Sequence, residues 1–419
     1  MIVSVILAAG KGTRMHSDLP KVLHPLLGAP LLEHVLDSAE PLSPAQKVVV
    51  IGHARQHVQA AFPARGITWA VQDTQLGTAH AAHCGVEAIL PVRDEDPHVL
   101  ILNGDLPLVR PETLKALLDE HVRSEAKVSI LTCDLQAPAG YGRVVRSKEG
   151  FVVGIVEEKD ADASTKLIQE VNVGIYVFRL SVFKEFYKRI GRENAQGELY
   201  LTDVVVQAAR AGRKVATFKV ACEREVAQVN SRAELARASQ LLRERILDNY
   251  MLEGISIDDP ASTYIEKGVR IGLESRIYPF TVIHRGVEIG ERCEVGPFAH
   301  LRSGTRIADG GSIGNFVEIK NSTVGIGTKV RHLAYVGDGE IGAHVNIGAG
   351  TIFANYDGKA KHKTVVKDGA FVGSGTVLVA PVTIGSGAVT GAGSVVLRNH
   401  DVADGDVVVG VPAKTIKRN

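Results

Sequence analysis

At 419 residues the chain is long enough for two or three domains with sizeable cores. Lys and Arg number 48 against 47 Asp and Glu, a net charge of +1 with no like-charge block, which argues against capture of nucleic acid or an acidic polymer. Hydrophobic residues at 45% and charged residues at 23% exclude a mostly disordered chain. The opening MIVSVILAAG lacks the basic start of a secretion signal and reads as a strand. No apolar run approaches the ~18 residues that span a bilayer. Cys84, Cys133, Cys222 and Cys293 stand far apart with no CxxC pair, which suggests neither a disulfide framework nor a zinc site. The expectation is a cytoplasmic protein without membrane insertion or a nucleic-acid partner.

Apolar runs at 3–9, 47–52 and 98–105 alternate with helical patterns at 31–40 and 111–124, which predicts an α/β domain with a mainly parallel sheet. Straight after the first run, residues 7–21 read LAAGKGTRMHSDLPK. The string lacks the Walker spacing, and Met15 stands where the dinucleotide fingerprint needs its third glycine. What remains is a glycine-rich turn with Lys11, Arg14 and Lys21 nearby, suited to a polyphosphate, or an ordinary strand-to-helix turn. HARQH at 53–57 has two His at helical spacing but lacks the Glu of a zinc protease. Residues 231–254 place Leu235, Leu241, Leu242, Ile246 and Tyr250 near helical spacing and end on Gly254, which predicts a connecting helix.

Residues 1–253 hold 16 glycines and the shorter stretch 254–419 holds 27, so the two parts are built differently. In the second part aliphatic residues fall every sixth position from Ile265 to Ile319, restart after five-residue steps at Val324 and Ile341, and resume at Val366 beyond ANYDGKAKHKTV; Thr390 breaks type. A six-residue period suits a coil of short flat faces, each pointing one aliphatic residue inward, so a β-helix solenoid is predicted. Glycines that follow the aliphatic residue, such as Gly272, Gly290, Gly296 and Gly314, suit corners with unusual dihedrals or close backbone approach. A coil of three hexapeptides is about 18 residues long, so Arg302 stacks on Lys320 as a candidate phosphate clamp. His332, Tyr335, Asn346, Asn355, Tyr356 and Lys361 also interrupt the pattern. Singly, each reads equally well as a solvated or structural side chain.

The string at 7–21, with QLGTAHA, NGDLPL, GYGRV, GIVEEKDA, EVNVGIY, NAQGELYLTD and VNSR following in order, resembles the sugar-phosphate nucleotidyltransferases, specifically the uridylyltransferase half of the bifunctional family that makes UDP-N-acetylglucosamine. GNFVEIK, RHLAYVGD, NIGAGTIFANYDG and GSGTVLVAPVTIG resemble the acetyltransferase half. The resemblance implies a Rossmann-like nucleotidyltransferase domain (1–229), a connecting helix (230–253) and a left-handed parallel β-helix of hexapeptide repeats (254–419), assembled as a homotrimer.

It implies two reactions in peptidoglycan and cell-wall synthesis. Acetyl-CoA acetylates glucosamine 1-phosphate, and the resulting N-acetylglucosamine 1-phosphate takes a uridylyl group from UTP with Mg²⁺, releasing pyrophosphate. In the first half, Leu7, Ala8, Ala9, Gly10, Gly12 and Lys21 would hold the nucleotide, with Gln72, Gly77 and Thr78 at its base. Asn103, Gly140, Glu157, Asn172 and Asn230 would contact substrate, Asp105 and Asn230 would bind Mg²⁺, and Arg14 and Lys21 would neutralise phosphates. In the second half, His332 would be the general base, Arg302, Lys320 and Lys361 would hold the sugar phosphate, and Tyr335, Asn346, Asn355 and Tyr356 would orient the sugar. Ala349, Ser374 and Ala392 would line the acetyl-CoA channel. Three departures stand out: Asn103 where the family often carries Tyr; a stretch from Gly254 to Cys293 shorter than the family's by about two coils, at the start of the solenoid; and Gly410 where the family carries an Arg near the coenzyme phosphates, with Arg398, Lys414 and Lys417 as nearby substitutes. The alternatives are a nucleotidyltransferase whose β-helix is only structural or regulatory, and a scaffold with a degenerate site.

Overall fold

The computed structural model describes residues 1–416, which divide into two compact units, Met1–Ser239 and a second that starts at Gln240. Lys417 lies outside the described residues. The division falls inside the helix Arg232–Leu252, which ends before Gly254 in the left-handed region at φ 92°. The helix buries Ala238, Leu242 and Leu247. Leu235, Leu241 and Ile246, also on the apolar stripe read from sequence, stay partly exposed.

The first unit is built on a sheet whose first four strands are β1 (Ile2–Leu7), β2 (Gln46–Ile51), β3 (Ile67–Val71) and β4 (His98–Asn103). Beyond them lie β5 (Val128–Asp134), β6 (Gly142–Arg146), β7 (Val152–Val156), β8 (Glu170–Arg179) and β9 (Val215–Val220). The spatial order is β9-β5-β8-β4-β1-β2-β3, with β8 antiparallel to β4 and β5 and the other pairs of this path parallel. The apolar runs alternate between two cores: Val48, Val50, Val99 and Ile101 face one side, Val49, Ile51, Leu100 and Leu102 the other. A sheet buried on both faces needs near-continuous apolar strands, and that is what these sequences supply. The carboxyl ends of β1 and β4, neighbours in the sheet, feed the glycine-rich turn and Asp105 respectively.

In the second unit, two- to four-residue strands stack into three parallel sheets, a three-sided β-helix. Pairing runs in steps of 18 residues, as in Arg276 opposite Glu294, drops to 17 at the short repeats, as in Ser312 opposite Lys329, and rises to 25 across the inserted loop, as in Asn346 opposite Phe371. The inward positions are buried: Ile277, Ile283, Val330, Val336, Val372 and Leu378 each have 0% exposure. Each such burial is worth about 1.5–3 kcal/mol, summed down a column no single coil could bury. Thr390 occupies one of these positions because its hydroxyl has two partners, the Gly373 amide at 3.0 Å and the Thr376 hydroxyl at 3.0 Å. An antiparallel pair, Val407–Val409 with Lys414–Ile416, ends the stack.

Close approach, not unusual dihedrals, explains most glycines after the aliphatic residue. Of Gly272, Gly290, Gly296 and Gly314, only Gly296 has a positive φ. A Cβ on Gly314 would lie 1.9 Å from the Arg331 carbonyl oxygen, so any side chain there forces apart two coils. Those are the coils that pair Asn315 with His332.

Candidate functional site

In the first unit a cavity of ≈ 320 Å³ opens at the ends of β1 and β4. Leu7, Ala8, Ala9, Gly10 and Lys21 line one side, and Gln72, Gly77, Thr78, Asn103 and Asp105 line the rest. Gly12 lies beneath: its φ is 60°, and a Cβ there would sit 2.6 Å from Lys21 Cβ, so glycine both permits the turn and seats the lysine. Lys21 Nζ donates to Asp105 Oδ2 at 2.6 Å and to Asn230 Oδ1 at 3.1 Å, drawing together residues 84 and 209 positions away in sequence. The other oxygen, Asp105 Oδ1, is buried without a partner.

That orphaned acceptor beside an amide oxygen suits Mg²⁺, which takes one or two carboxylates and completes its shell with water and phosphate oxygens. Among the described residues no group of three or more His, Cys, Asp and Glu is placed to hold a metal ion, so a tightly caged structural metal does not fit.

At the end where the base is expected, Gln72 Nε2 donates to the Gly77 carbonyl at 3.2 Å and stands 3.1 Å from His80 Nδ1. A carbonyl can only accept, so the Gln72 amide is oriented with its NH₂ held here. The Thr78 hydroxyl accepts the Leu201 amide at 3.0 Å.

The expected sugar residues are spread along the neighbouring strands. Asn172 on β8 donates to the Tyr176 hydroxyl at 2.7 Å and accepts the Gly174 amide at 3.2 Å. A Cβ on Gly174 would lie 2.3 Å from Asn103 Nδ2, so Asn103 is packed into this wall of the site. Glu157 accepts from Thr202 at 3.0 Å, and burial pushes its pKa up from the usual carboxylate value. Gly140 donates its amide to Glu158 at 3.3 Å. Arg14 is exposed and does not line the cavity, so within this unit Lys21 alone of the two expected cations stands there.

Sequence reasoning missed Gln75, whose amide donates to the Ala9 carbonyl at 2.7 Å and ties down the glycine-rich turn. It also missed Tyr141, whose hydroxyl donates to the Val226 carbonyl at 2.8 Å on the segment leading to Asn230. Neither bond leaves a short-range signal.

In the second unit, Arg302, Lys320 and Gly337 are successive rungs of one face. Arg302 donates to Glu318 Oε1 at 2.8 Å. The loop Asn355–Lys361 turns back on Asp357, whose carboxylate accepts the Lys359 and Ala360 amides at 2.9 and 2.8 Å. Tyr356 then bridges to Lys361. Lys361 comes near enough to Lys320 that their repulsion lowers the Lys320 pKa. Clustered cations of this kind call for a shared anion. Gly337, missed in the sequence, permits a close approach: a Cβ there would stand 2.5 Å from the Tyr335 hydroxyl and 2.7 Å from Asn355 Nδ2.

His332 is exposed at the next corner, and Asn315 Oδ1 accepts from its Nδ1 at 2.7 Å. That bond holds the hydrogen on Nδ1 and leaves Nε2 bare toward solvent, the form a base needs. The 17-residue coil step places Asn315 under His332 and was the available signal for it. Down the same corner, the Gly350 amide donates to the His332 carbonyl (3.4 Å), Gly375 to Ala349 (2.7 Å) and Gly393 to Ser374 (2.8 Å). His332, Ala349, Ser374 and Ala392 therefore form one column over consecutive coils.

Asn346 lies on the face carrying Lys329–His332, apart from that of Arg302 and Lys320, so one chain does not gather every expected residue on one face. Gly410 has φ 95°, a conformation an Arg adopts only with strain. Arg398 is engaged with Asp357 at 3.1 Å, which removes it as a ready coenzyme cation, whereas Lys414 is exposed.

A family model for MobA-like NTP transferase domains matches residues 4–245, and one for bacterial transferase hexapeptide repeats matches residues 363–398. Over 429 residues the chain is 42% identical to the bifunctional protein GlmU of Desulfitobacterium hafniense, covering 94% of this chain and 93% of that protein. It is 43% identical to the protein of the same name from Syntrophotalea carbinolica, covering 95% and 92%. Identity is also 43% to that of Thermosipho africanus, covering 97% and 94%.

Proposed function

This chain belongs to the family of the bifunctional protein GlmU, and from that membership we propose that it makes UDP-N-acetylglucosamine in two steps at two sites. In the second unit the 2-amino group of glucosamine 1-phosphate attacks the thioester carbonyl of acetyl-CoA. His332 Nε2 takes the amine proton as the C–N bond forms, and coenzyme A leaves as its thiol after protonation. Arg302, Lys320 and Lys361 hold the sugar phosphate, while Tyr335, Asn355 and Tyr356 orient the ring. Acetyl-CoA runs along the column of Ala349, Ser374 and Ala392.

In the first unit a phosphate oxygen of N-acetylglucosamine 1-phosphate attacks the α-phosphorus of UTP, and the bond to the bridging oxygen of pyrophosphate breaks. The nucleophile is already an anion, so no protein base is required. Leu7, Ala8, Ala9, Gly10 and Gly12 form the turn that receives the nucleotide, Gln72, Gly77 and Thr78 meet its base, and Asn103, Gly140, Glu157 and Asn172 hold the sugar. Asp105 and Asn230 would hold Mg²⁺, which would supply charge neutralisation on the phosphates. Lys21, at the cavity wall, and Arg14, on the exposed turn, would neutralise the phosphates.

The observation that carries this reading is the convergence of Lys21, Asp105 and Asn230 from three distant segments. The separation of Asn346 from the face of Arg302 supports an acetyl site completed by a second copy in a homotrimer, which sedimentation would detect. The absence of any helix long and apolar enough to cross a membrane among the described residues is consistent with a cytoplasmic enzyme. The deciding experiment incubates the purified chain with glucosamine 1-phosphate, acetyl-CoA, UTP and Mg²⁺ and identifies products by mass. Uridylylation without acetylation would leave the β-helix a structural or regulatory platform.

A further inference from the structure

Two imidazoles that the reaction does not use lie on the face of the phosphate clamp. His284 is one rung from Arg302, and His300 one rung from Glu318. Their Nε2 atoms are 2.9 Å apart. His284 Nδ1 is 3.1 Å from Glu266 Oε1, and His300 Nδ1 is 4.0 Å from Glu318 Oε2. The other oxygen of each carboxylate is committed: Glu266 Oε2 accepts the Arg285 amide at 2.8 Å, and Glu318 Oε1 accepts from Arg302 at 2.8 Å. Glu266, Glu318 and Arg302 are among the charged groups facing the pair.

The ion pair orients the protons: with a hydrogen on Nδ1 toward Glu266, a neutral His284 has a bare Nε2. The hydrogen between the two Nε2 atoms, 2.9 Å apart, is on that tautomer carried by His300. His300 Nδ1 is then the one nitrogen of the pair left to take a proton, and at 4.0 Å it makes no bond to Glu318 while bare. Burial keeps the His300 pKa below the ordinary imidazole value, with Arg302 and His284 pushing the same way and Glu318 opposing.

We infer that His300 is a positioning residue for the sugar-phosphate clamp: a proton taken at Nδ1 draws Glu318 away from Arg302 and frees that guanidinium for the phosphate of the substrate. The inference rests on the reading of Arg302 as a phosphate ligand. Glu318 is shared between one permanent cation and one conditional cation, so its division between them is the switch. The sign follows: His300 strengthens binding of glucosamine 1-phosphate as pH falls through its pKa, and the contribution vanishes at higher pH.

The test is KM for glucosamine 1-phosphate against pH in the full chain, comparing wild type with His300→Gln, which keeps a donor toward His284 but cannot ionise. Taking the ratio of the two cancels the ionisation of the substrate phosphate and of His332. The variant-to-wild-type KM ratio should rise about fivefold between about pH 8 and pH 5.5, the size of one solvent-screened ion pair. A flat ratio overturns the inference. Arg302→Gln run alongside separates the two failures: raised KM there with a flat His300 ratio sinks the switch alone, and unchanged KM sinks the clamp reading together with it. Imidazole ¹⁵N spectra of the wild-type chain at about pH 8 give a check that needs no variant: hydrogen on Nδ1 of His284 and Nε2 of His300 is expected, and the opposite tautomers refute the assignment.

Discussion

The two units build their sites by opposite means. In the first, a cavity at the end of a buried sheet collects side chains from segments far apart in sequence, and a buried carboxylate oxygen is left without a partner. In the second, the backbone repeat stacks Arg302 on Lys320, and His332 on Ala349 and Ser374, at intervals set by coil length. The first arrangement depends on long-range closure and the second on local register. A change in the first should therefore act by removing a charge that is balanced only there, whereas a change in the second should act by shifting a rung. The repeat unit is also the more forgiving of sequence exchange on its outer faces, because each coil is held mainly by its neighbours.

The sharpest way to break the comparison is to disable each site alone. Asp105→Ala should lower uridylyl transfer by about 10²–10³-fold, as loss of a transition-state charge stabiliser does, and leave acetylation intact. His332→Ala should lower acetyl transfer by about 10²–10⁴-fold and leave uridylyl transfer intact. Chelation of Mg²⁺ should follow the Asp105 pattern. Loss of both activities in either variant, measured by separate product assays, would show that the sites are not independent.

Next in size is the core of the repeat. Thr390→Val keeps the shape and removes one acceptor from the Gly373 amide, which also reaches the Thr390 carbonyl at 3.0 Å, and the nearer partner of the Thr376 hydroxyl, which keeps the Gly391 carbonyl at 3.4 Å; the loss should cost about 0.5–1.5 kcal/mol, read as a lowered Tm or denaturant midpoint. Wild-type stability would mean that the hydroxyl pair contributes nothing beyond an apolar contact.

Asn315→Ala should lower kcat for acetylation about tenfold through loss of one orienting hydrogen bond to His332, with KM little changed. Asn315→Asp, which keeps the acceptor, should restore much of it. Failure of that rescue would assign Asn315 to packing instead of tautomer control.

The smallest effect is expected at Gly337→Ala. The added methyl would meet the ends of Tyr335 and Asn355, which can move, so KM for glucosamine 1-phosphate should rise about two- to fivefold while Tm holds. A fall in Tm without a KM change would place Gly337 in the fold and not in the site.

The solenoid was legible from sequence because its inward residues recur at a fixed chain distance, and a covalent spacing is a local property: Ile265 through Val396 could be counted before any contact was known. The same arithmetic stacked Arg302 on Lys320 and, with the 17-residue step, would have put Asn315 under His332. The strands of the first unit were legible for another local reason, as short apolar runs set between helical patterns. The reasons for particular residues were not, because they lie in contacts across the chain. Gly314 is glycine because another coil's carbonyl occupies the place of its Cβ, and Arg398 is taken by Asp357. Lys21, Asp105 and Asn230 become one site only when the ends of β1 and β4 meet a segment 209 residues downstream of Lys21. Sequence determines which side chains are present and how they repeat; tertiary structure alone decides which charges share a partner, because that depends on distances that no local spacing contains.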